Sequence, residues 1–330
     1  MSILARRAAL ALAALASSLS LGVLPAAAQP FPSRTLTVIV PFAAGGPTDT
    51  VSRLVGEAMG RELGQTVVVE NAGGAGGTIG AQRVANARPD GYTLLLHHIG
   101  MATTPSLYRR LAYDPVGGFE PIGLVTEVPM TLVGKRDFPA NTLAEAIAVI
   151  RRDQEKLNYA NAGIGAASHL CGLLLMKAVD APMTTVPFRG TGPAMQELLA
   201  GRIDLMCDQT TSTTEQINGG AIKVFATTTP NRLATLPNVP TSTEAGLPEF
   251  QVTVWHGLYA PKGTPPVLVA RLSQALKVAL RDPKLVARFA ELGTEPVAQD
   301  RATPAALRAF WLADIAKWKP IIQGAGQYAD

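Results

Sequence analysis

The sequence predicts an α/β protein of two lobes whose chain passes between them twice. Three observations carry this expectation. About 300 residues follow a removable leader, more than one hydrophobic core usually fills. Strand-like runs alternate with helical runs over residues 36–96, and the alternation repeats over 140–228. The tail beyond residue 252 breaks the alternation with one strand and three helices, so it must return to one of the two units.

The first unit opens with Leu36 to Phe42, a β-branched apolar run closed by Pro41, read as a buried strand. A helix is expected from Thr48 to Gly64, because Val51, Leu54, Val55, Ala58, Met59 and Leu63 recur at spacings of three and four. Thr66 to Glu70 reads as a strand. Gly73 to Gly77 is a glycine-rich loop that opens a helix through Ala81, Val84 and Ala85. Tyr92 to Leu96 is the third strand. This β-α-β-α-β order predicts parallel pairing with helices on both faces.

In the second unit a helix at Leu143–Arg152 precedes a strand at Leu157–Asn161, and a helix at Ala166–Val179 leads to a strand at Thr184–Phe188. Gly192–Gly201 is read as helical, Ile203–Asp208 as a strand, and Ile222–Thr228 closes the set. In the tail, the strand Val252–Tyr259 precedes helices at Pro265–Arg281, Pro283–Leu292 and Thr303–Lys317. The crossings between lobes fall near Leu124–Val128 and Val252–His256.

The amino terminus has the grammar of an export signal. Arg6 and Arg7 precede an apolar run from Ala8 to Val23, Pro25 breaks it, and Ala26 to Ala28 supply the small residues of a cleavage site. That run is about 16 residues, short of the roughly 20 that span a bilayer. Residues 1–28 are therefore read as a signal peptide, 29–126 with 256–330 as lobe 1, and 127–255 as lobe 2. The exported chain is expected in the periplasm. Of the 29 basic residues, 27 remain once Arg6 and Arg7 are removed, against 25 acidic ones, and they are scattered. Nucleic-acid binding has no support. Cys171 lies in an apolar helix and Cys207 in an apolar strand; an oxidising compartment permits a disulfide, and two buried thiols are equally compatible with the sequence.

Ligands of open parallel sheets bind beyond the carboxyl ends of the strands, beside helix N-termini. Three loops fit. The first, Pro41 to Asp49, ends a strand, pairs Gly45 with Gly46, and starts a helix with Pro47, Thr48 and Asp49. Unpaired N–H groups and the helix dipole there make an anion site without a basic side chain. The second, Gly163 to His169, holds the matching position in the other unit, with Ser168 as a hydroxyl donor. The third is Asp208-Gln209, where a carboxylate can take water, hydroxyl or amine.

At these loops the chain resembles the Bug family, the extracytoplasmic receptors of tripartite tricarboxylate transporters. The resemblance is carried by Val40-Pro41-Phe42 through Gly45-Gly46-Pro47-Thr48-Asp49, by Val69-Glu70-Asn71 with Gly74 to Gly80, and by Pro89-Asp90-Gly91-Tyr92-Thr93-Leu94. It continues with Leu157-Asn158-Tyr159-Ala160, Ser168-His169-Leu170, Pro187-Phe188-Arg189-Gly190, Val239-Pro240-Thr241 and Glu244 to Pro248, and runs in order from about Phe31 to Gly326. It implies a periplasmic-binding-protein fold of type II, with two αβ lobes joined by two crossing strands. It also implies a small organic carboxylate (a dicarboxylate or tricarboxylate, an amino acid or an aromatic acid) held by amides and waters, and a cognate two-component membrane permease as partner. The expected ligand contacts are Phe42, Ala43, Ala44, Gly45, Gly46, Thr48, Asp49, His98, Ile99, Gly165, Ala166, Ser168, Arg189, Gly190 and Asp208. No catalytic residue, metal or cofactor is expected, and a monomer is the default.

The chain departs from the family pattern at His97-His98, at Cys207-Asp208-Gln209 and at Ala72-Gly73, so the ligand cannot be carried over. The two histidines at the mouth of the third strand lean toward a dicarboxylate or aromatic acid. Trp255 is expected in the core of a crossing strand, with walling of the ligand as the other option, and Arg189 is read as half site, half structural. A carboxylate sensor feeding a signalling partner is an alternative role. An α/β enzyme fits less well: counted from Gly74, the third glycine of a dinucleotide fingerprint falls on Ile79, and Ser168 lacks the glycines of a nucleophile elbow. For a metal site, His97 and His98 point to opposite faces of one strand, so at most one meets the cleft.

Overall fold

One long strand organises the molecule. In a computed structural model that describes residues 31–325 and 328–329, β4 spans Phe119–Lys135, seventeen residues. Two compact units divide the chain, Met1–Ser33 and Arg34–Asp330, and every strand and helix among the described residues belongs to the second. The leader read over residues 1–28 lies outside the described residues. No helix among the described residues is long and apolar enough to cross a membrane.

The first lobe is built as the alternation predicts. Strands β1 (Leu36–Val40), β2 (Val67–Asn71) and β3 (Thr93–His98) pair in parallel in the order β2-β1-β3. Helix α1 (Pro47–Leu63) buries Val51, Val55, Ala58 and Met59 and ends on Gly64, whose φ of 67° is the left-handed cap that favours glycine. Helix α2 is Thr78–Ala85. The second lobe pairs β5 (Asn158–Asn161) in parallel with β6 (Thr184–Pro187) and with β7 (Leu205–Gln209). Its helices are α4 (Leu143–Asp153), α5 (Ala167–Val179), α6 (Thr191–Leu199) and α7 (Thr210–Asn218).

The lobes meet on β4 and β9 (Thr253–Pro261). From Phe119 to Pro129, β4 pairs antiparallel with β9, which pairs on its other edge with β3. From Met130 onward β4 pairs antiparallel with β7 and with β8 (Ile222–Thr227). The chain is therefore an α/β fold of two lobes joined by two crossing strands. The tail helices α8 (Pro266–Ala279), α9 (Pro283–Glu291) and α10 (Pro304–Ala325) return to the first lobe, where Trp311 is fully buried and donates its indole N–H to Met101 C=O at 2.9 Å.

Four features differ from expectation. Helix α3 (Gly100–Leu107) went unrecognised because it has almost no amphipathic period and carries Pro105 inside. Only the crossing at Leu124–Val128 was expected of β4; Pro121, Gly123 and Pro129 argue against a central strand, and register shifts beside Pro121 and Leu124 accommodate them. Strand β8 lies against β4 rather than beside the parallel set. Helix α10 continues past Lys317, through Pro320.

The cysteine question is resolved: Cys171 on α5 and Cys207 on β7 form a disulfide, Cα to Cα 6.1 Å and 36 positions apart. Closing such a loop stabilises by about 4 kcal/mol in the chain-entropy account.

Candidate ligand-binding site

Four helices begin at one place, and no side chain caps any of them. The N-caps are Gly46 for α1, Ala166 for α5, Gly190 for α6 and Gln209 for α7. A small, nearly closed cavity of about 10 Å³ lies among these ends, lined by Phe42, Gly46, Pro47, Thr48, His98, Ala162, Ala167, Ser168, Thr191, Asp208 and Gln209. The first-turn amides of a helix have no intrahelical acceptor, and its N-terminus carries the positive end of the dipole. Four such ends around one small space favour a negative charge held by main-chain groups.

The first-lobe wall is set by Asp49. Its carboxylate accepts the Gly45 N–H at 3.0 Å, the Asn71 amide at 3.0 Å and the Arg53 Nε–H at 3.0 Å. Burial pushes this carboxyl up, but Arg53, Gly45 and Asn71 together hold it below its ordinary value. Gly45 itself sits at φ 80°, where glycine is favoured. Next to this loop His98 stacks on Phe42, ring centroids 4.6 Å apart. Its Nδ1 accepts the Gly100 N–H at 2.9 Å, so the neutral ring carries its proton on Nε2. Burial lowers the His98 pKa to about 3, which keeps the ring neutral. Thr48 Oγ1 lies 3.2 Å from Nε2 of His256, whose burial likewise holds it well below the ordinary range.

The second-lobe wall is different in character. Ser168 Oγ accepts the Ala162 N–H at 2.8 Å, which leaves the hydroxyl proton to donate. Asp208 Oδ1 accepts from Thr191 at 3.3 Å, while Oδ2 and the neighbouring Gln209 Oε1 are buried with no partner in hydrogen-bond geometry. Burial pushes the Asp208 carboxyl up to about 7, with the Gln209 main-chain N–H and the Ser212 and Thr191 hydroxyls pulling back only part of that shift. One wall thus suits an anion and the other offers unmet acceptors.

Backbone closes the space from both sides. Ala43 N–H donates to Arg189 C=O at 3.0 Å across the lobes. The Tyr108 hydroxyl lies 2.8 Å from Ala75 C=O and 3.2 Å from Ile164 C=O, one proton between carbonyls of different lobes. Val40 and Phe42 pack on Ala162 and Ala166. A Cβ on Gly192 would stand 2.6 Å from the Ala44 carbonyl oxygen, and one on Gly76 2.0 Å from that of Ile164. Chain meets chain here because glycine permits it.

Comparison with known proteins accords with this architecture. The tripartite tricarboxylate transporter family receptor pattern matches residues 51–327. The chain belongs to that family of receptors. A protein encoded in the TAR-I ttuE–ttuC' intergenic region of Agrobacterium vitis is 51% identical over 297 residues, 90% of this chain and 86% of that one. The structure of the periplasmic binding protein BugD matches at 49% identity with a TM-score of 0.88, over 90% of this chain and 99% of that one. MatC from Rhodopseudomonas palustris, solved with bound malate, matches at 41% identity with a TM-score of 0.86, over 88% and 100% of the two chains. The resemblance read from the sequence and the solute-binding class are thereby shown.

In this receptor the cavity gathers six of the residues expected there: Phe42, Gly46, Thr48, His98, Ser168 and Asp208. The other nine surround it without lining it. Ala43 contributes its N–H to the lobe contact, and Ala44 and Gly45 are exposed beside it. Asp49 folds the loop from behind. Ile99 caps α3, Gly165 accepts the Thr103 hydroxyl at 3.3 Å through its carbonyl, and Ala166 and Gly190 precede α5 and α6. The Arg189 side chain is exposed, and the residue enters the lobe contact through its carbonyl alone. The family resemblance brought it into the expected set, and its backbone carbonyl makes the contact seen here.

His97 turns away from the cavity, its Nε2 2.9 Å from where a Cβ on Gly77 would stand. Trp255 lies in the core and donates to Asp314 Oδ2 at 2.7 Å. Sequence reasoning did not assign Ala162, Ala167 and Thr191, and quoted Pro47 and Gln209 without giving them a contact. Thr191 follows Gly190 at the start of α6, and the rule that found the other two helix starts applies there equally. Among the described residues no group of three His, Cys, Asp or Glu is placed to hold a metal.

Proposed function

We propose that this receptor captures, in the periplasm, a small organic acid bearing a carboxylate at one end and a hydroxyl or ammonium donor at the other, and delivers it to a cognate two-component permease. The observation that carries the reading is the convergence of four uncapped helix N-termini on one cavity whose far wall holds unpartnered Asp208 Oδ2 and Gln209 Oε1. The carboxylate rests against Gly46 and the Thr48 end of α1. The donor turns to Asp208 and Gln209, with Ser168 and His98 Nε2–H completing the grip. A buried acceptor without a donor costs about 1–3 kcal/mol, so a ligand that supplies the donor is preferred over one that does not. The relative MatC holds malate, which carries both kinds of group.

The residues act by binding alone; no bond of the ligand is made or broken. Closure runs about β4 and β9, with lobe 1 formed by 29–126 and 256–330 and lobe 2 by 127–255. A ligand bridging α1 to Asp208 contacts both lobes and favours the closed form over the open one. The export leader ends at Ala28, and the receptor acts as a monomer.

Titration calorimetry with L-malate, L-aspartate and succinate tests this. Succinate shares the carboxylates and lacks the donor, so L-malate or L-aspartate should bind on the order of tenfold more tightly. Equal affinity for all three would remove the donor end of the reading, and no heat with any of them would remove the proposed ligand class.

A further inference from the structure

The disulfide does not line the cavity, yet both of its ends adjoin residues that do. Cys171 stands one helical turn beyond Ser168 on α5, and Cys207 directly precedes Asp208 on β7. Neighbours on a strand face opposite sides, so Cys207 turns to α5 while Asp208 turns to Thr191 and the cavity. Tyr159 spans the same gap: its hydroxyl donates to Ser168 C=O at 2.7 Å and accepts the Cys207 N–H at 3.2 Å. Gly172, beside Cys171, is pressed onto that ring, where a Cβ would come within 2.4 Å of Cε1. Cys171, Cys207 and Tyr159 are all fully buried.

We propose that the Cys171–Cys207 bridge is a positioning element of the ligand site, setting the distance from Ser168 to Asp208 and Gln209 and so the preference for acids that carry a donor. The inference rests on the function proposed above. Strand β7 is held by backbone ladders to β4 and β5, whereas α5 is tied to β7 by the disulfide and by the Tyr159 hydroxyl. Packed side chains allow small slides of a helix, and the covalent bridge with Tyr159 removes that freedom. A donor caught between a hydroxyl and a carboxyl needs them placed to within about 0.5 Å. The carboxylate grip at α1 belongs to the other lobe and is untouched by the bridge.

The test replaces both cysteines together, as Cys171→Ala/Cys207→Ala and as Cys171→Ala/Cys207→Val. The valine form restores most of the buried volume should the first fail to fold. In titrations with L-malate, L-aspartate and succinate, the affinity for the donor-bearing acids should drop on the order of tenfold while succinate changes by less than about twofold. An equal loss for all three acids, or a lower melting temperature with the selectivity unchanged, would overturn the positioning role. A second readout uses no ligand. Hydrogen exchange should quicken at residues 162–171 and 207–210 of either variant and stay unchanged at 48–59 and 94–98; uniform quickening, or none, overturns the inference. If the parent binds none of the acids, the proposed function fails and the exchange result alone decides the bridge.

Discussion

Thr191 donates its hydroxyl to Oδ1 of Asp208 at 3.3 Å, while Oδ2 of the same carboxyl is buried with no partner. Replacing Asp208 by asparagine separates the cost of holding it from its use. With its carboxyl pushed up to about 7 from 3.8, folded Asp208 keeps a proton that the unfolded chain has lost. The residue therefore lowers stability as pH rises from 4 to 7, and the full penalty stands above 7. Asp208→Asn should melt higher than the parent at pH 8, by about 1–3 kcal/mol of stability, and no higher at pH 4. Its affinity for L-aspartate should fall at least tenfold, measured by calorimetry at pH 8.

The buried histidines predict the opposite slope. Burial lowers His98 to about 3 and His169 to about 4, and holds His97 and His256 well below 6.5, the latter two also repelled by neighbouring histidines. The unfolded chain takes up these protons near 6.5, the folded chain only far lower. Their contribution is therefore complete above 6.5 and drains away as the solution is acidified. Four such rings outweigh the two raised carboxyls, Asp208 and Asp314, so the melting temperature should drop between pH 7 and pH 4.5. His98→Asn should flatten that drop.

Lobe closure has a clean steric probe in Gly192. The residue is helical, so alanine adds no strain to α6 and improves helix propensity by about 1 kcal/mol. Its Cβ, however, would meet the Ala44 carbonyl oxygen at 2.6 Å across the lobes. Gly192→Ala should leave the ligand-free melting temperature equal or higher, weaken L-malate binding on the order of tenfold, and reduce the ligand-induced fall in radius of gyration seen by small-angle scattering.

Tyr108 tests the same motion more gently. Removing the hydroxyl shared by Ala75 and Ile164 should cost about 1 kcal/mol of the closed form. Tyr108→Phe is expected to release ligand about fivefold faster in stopped-flow dissociation, with association little changed.

Much of this was legible in the sequence, for identifiable reasons. The loops at Gly45-Gly46 and Ser168 could be found because strand ends, glycines and helix starts are local signals. Thr191, after Gly190 at the start of α6, carried the same signal and was passed over, whereas the α3 segment carried a proline and no apolar period. Pro121 and Pro129 lie within β4, and only the pairing with β9 shows how a strand bends past them. Arg189 entered through the family motif, and no local signal shows that its carbonyl accepts the Ala43 N–H. Local chemistry is visible in a string of residues; a carbonyl's partner across a cleft is not.

In the proposed reading the acid is held by peptide groups at Gly46 and the start of α1. No single side-chain substitution can delete a helix end, so affinity for anions is inherited with the backbone trace itself. What remains open to drift is the short roster of His98, Ser168, Asp208 and Gln209. Substitutions at such positions should change which acid is preferred more readily than whether an acid is held at all.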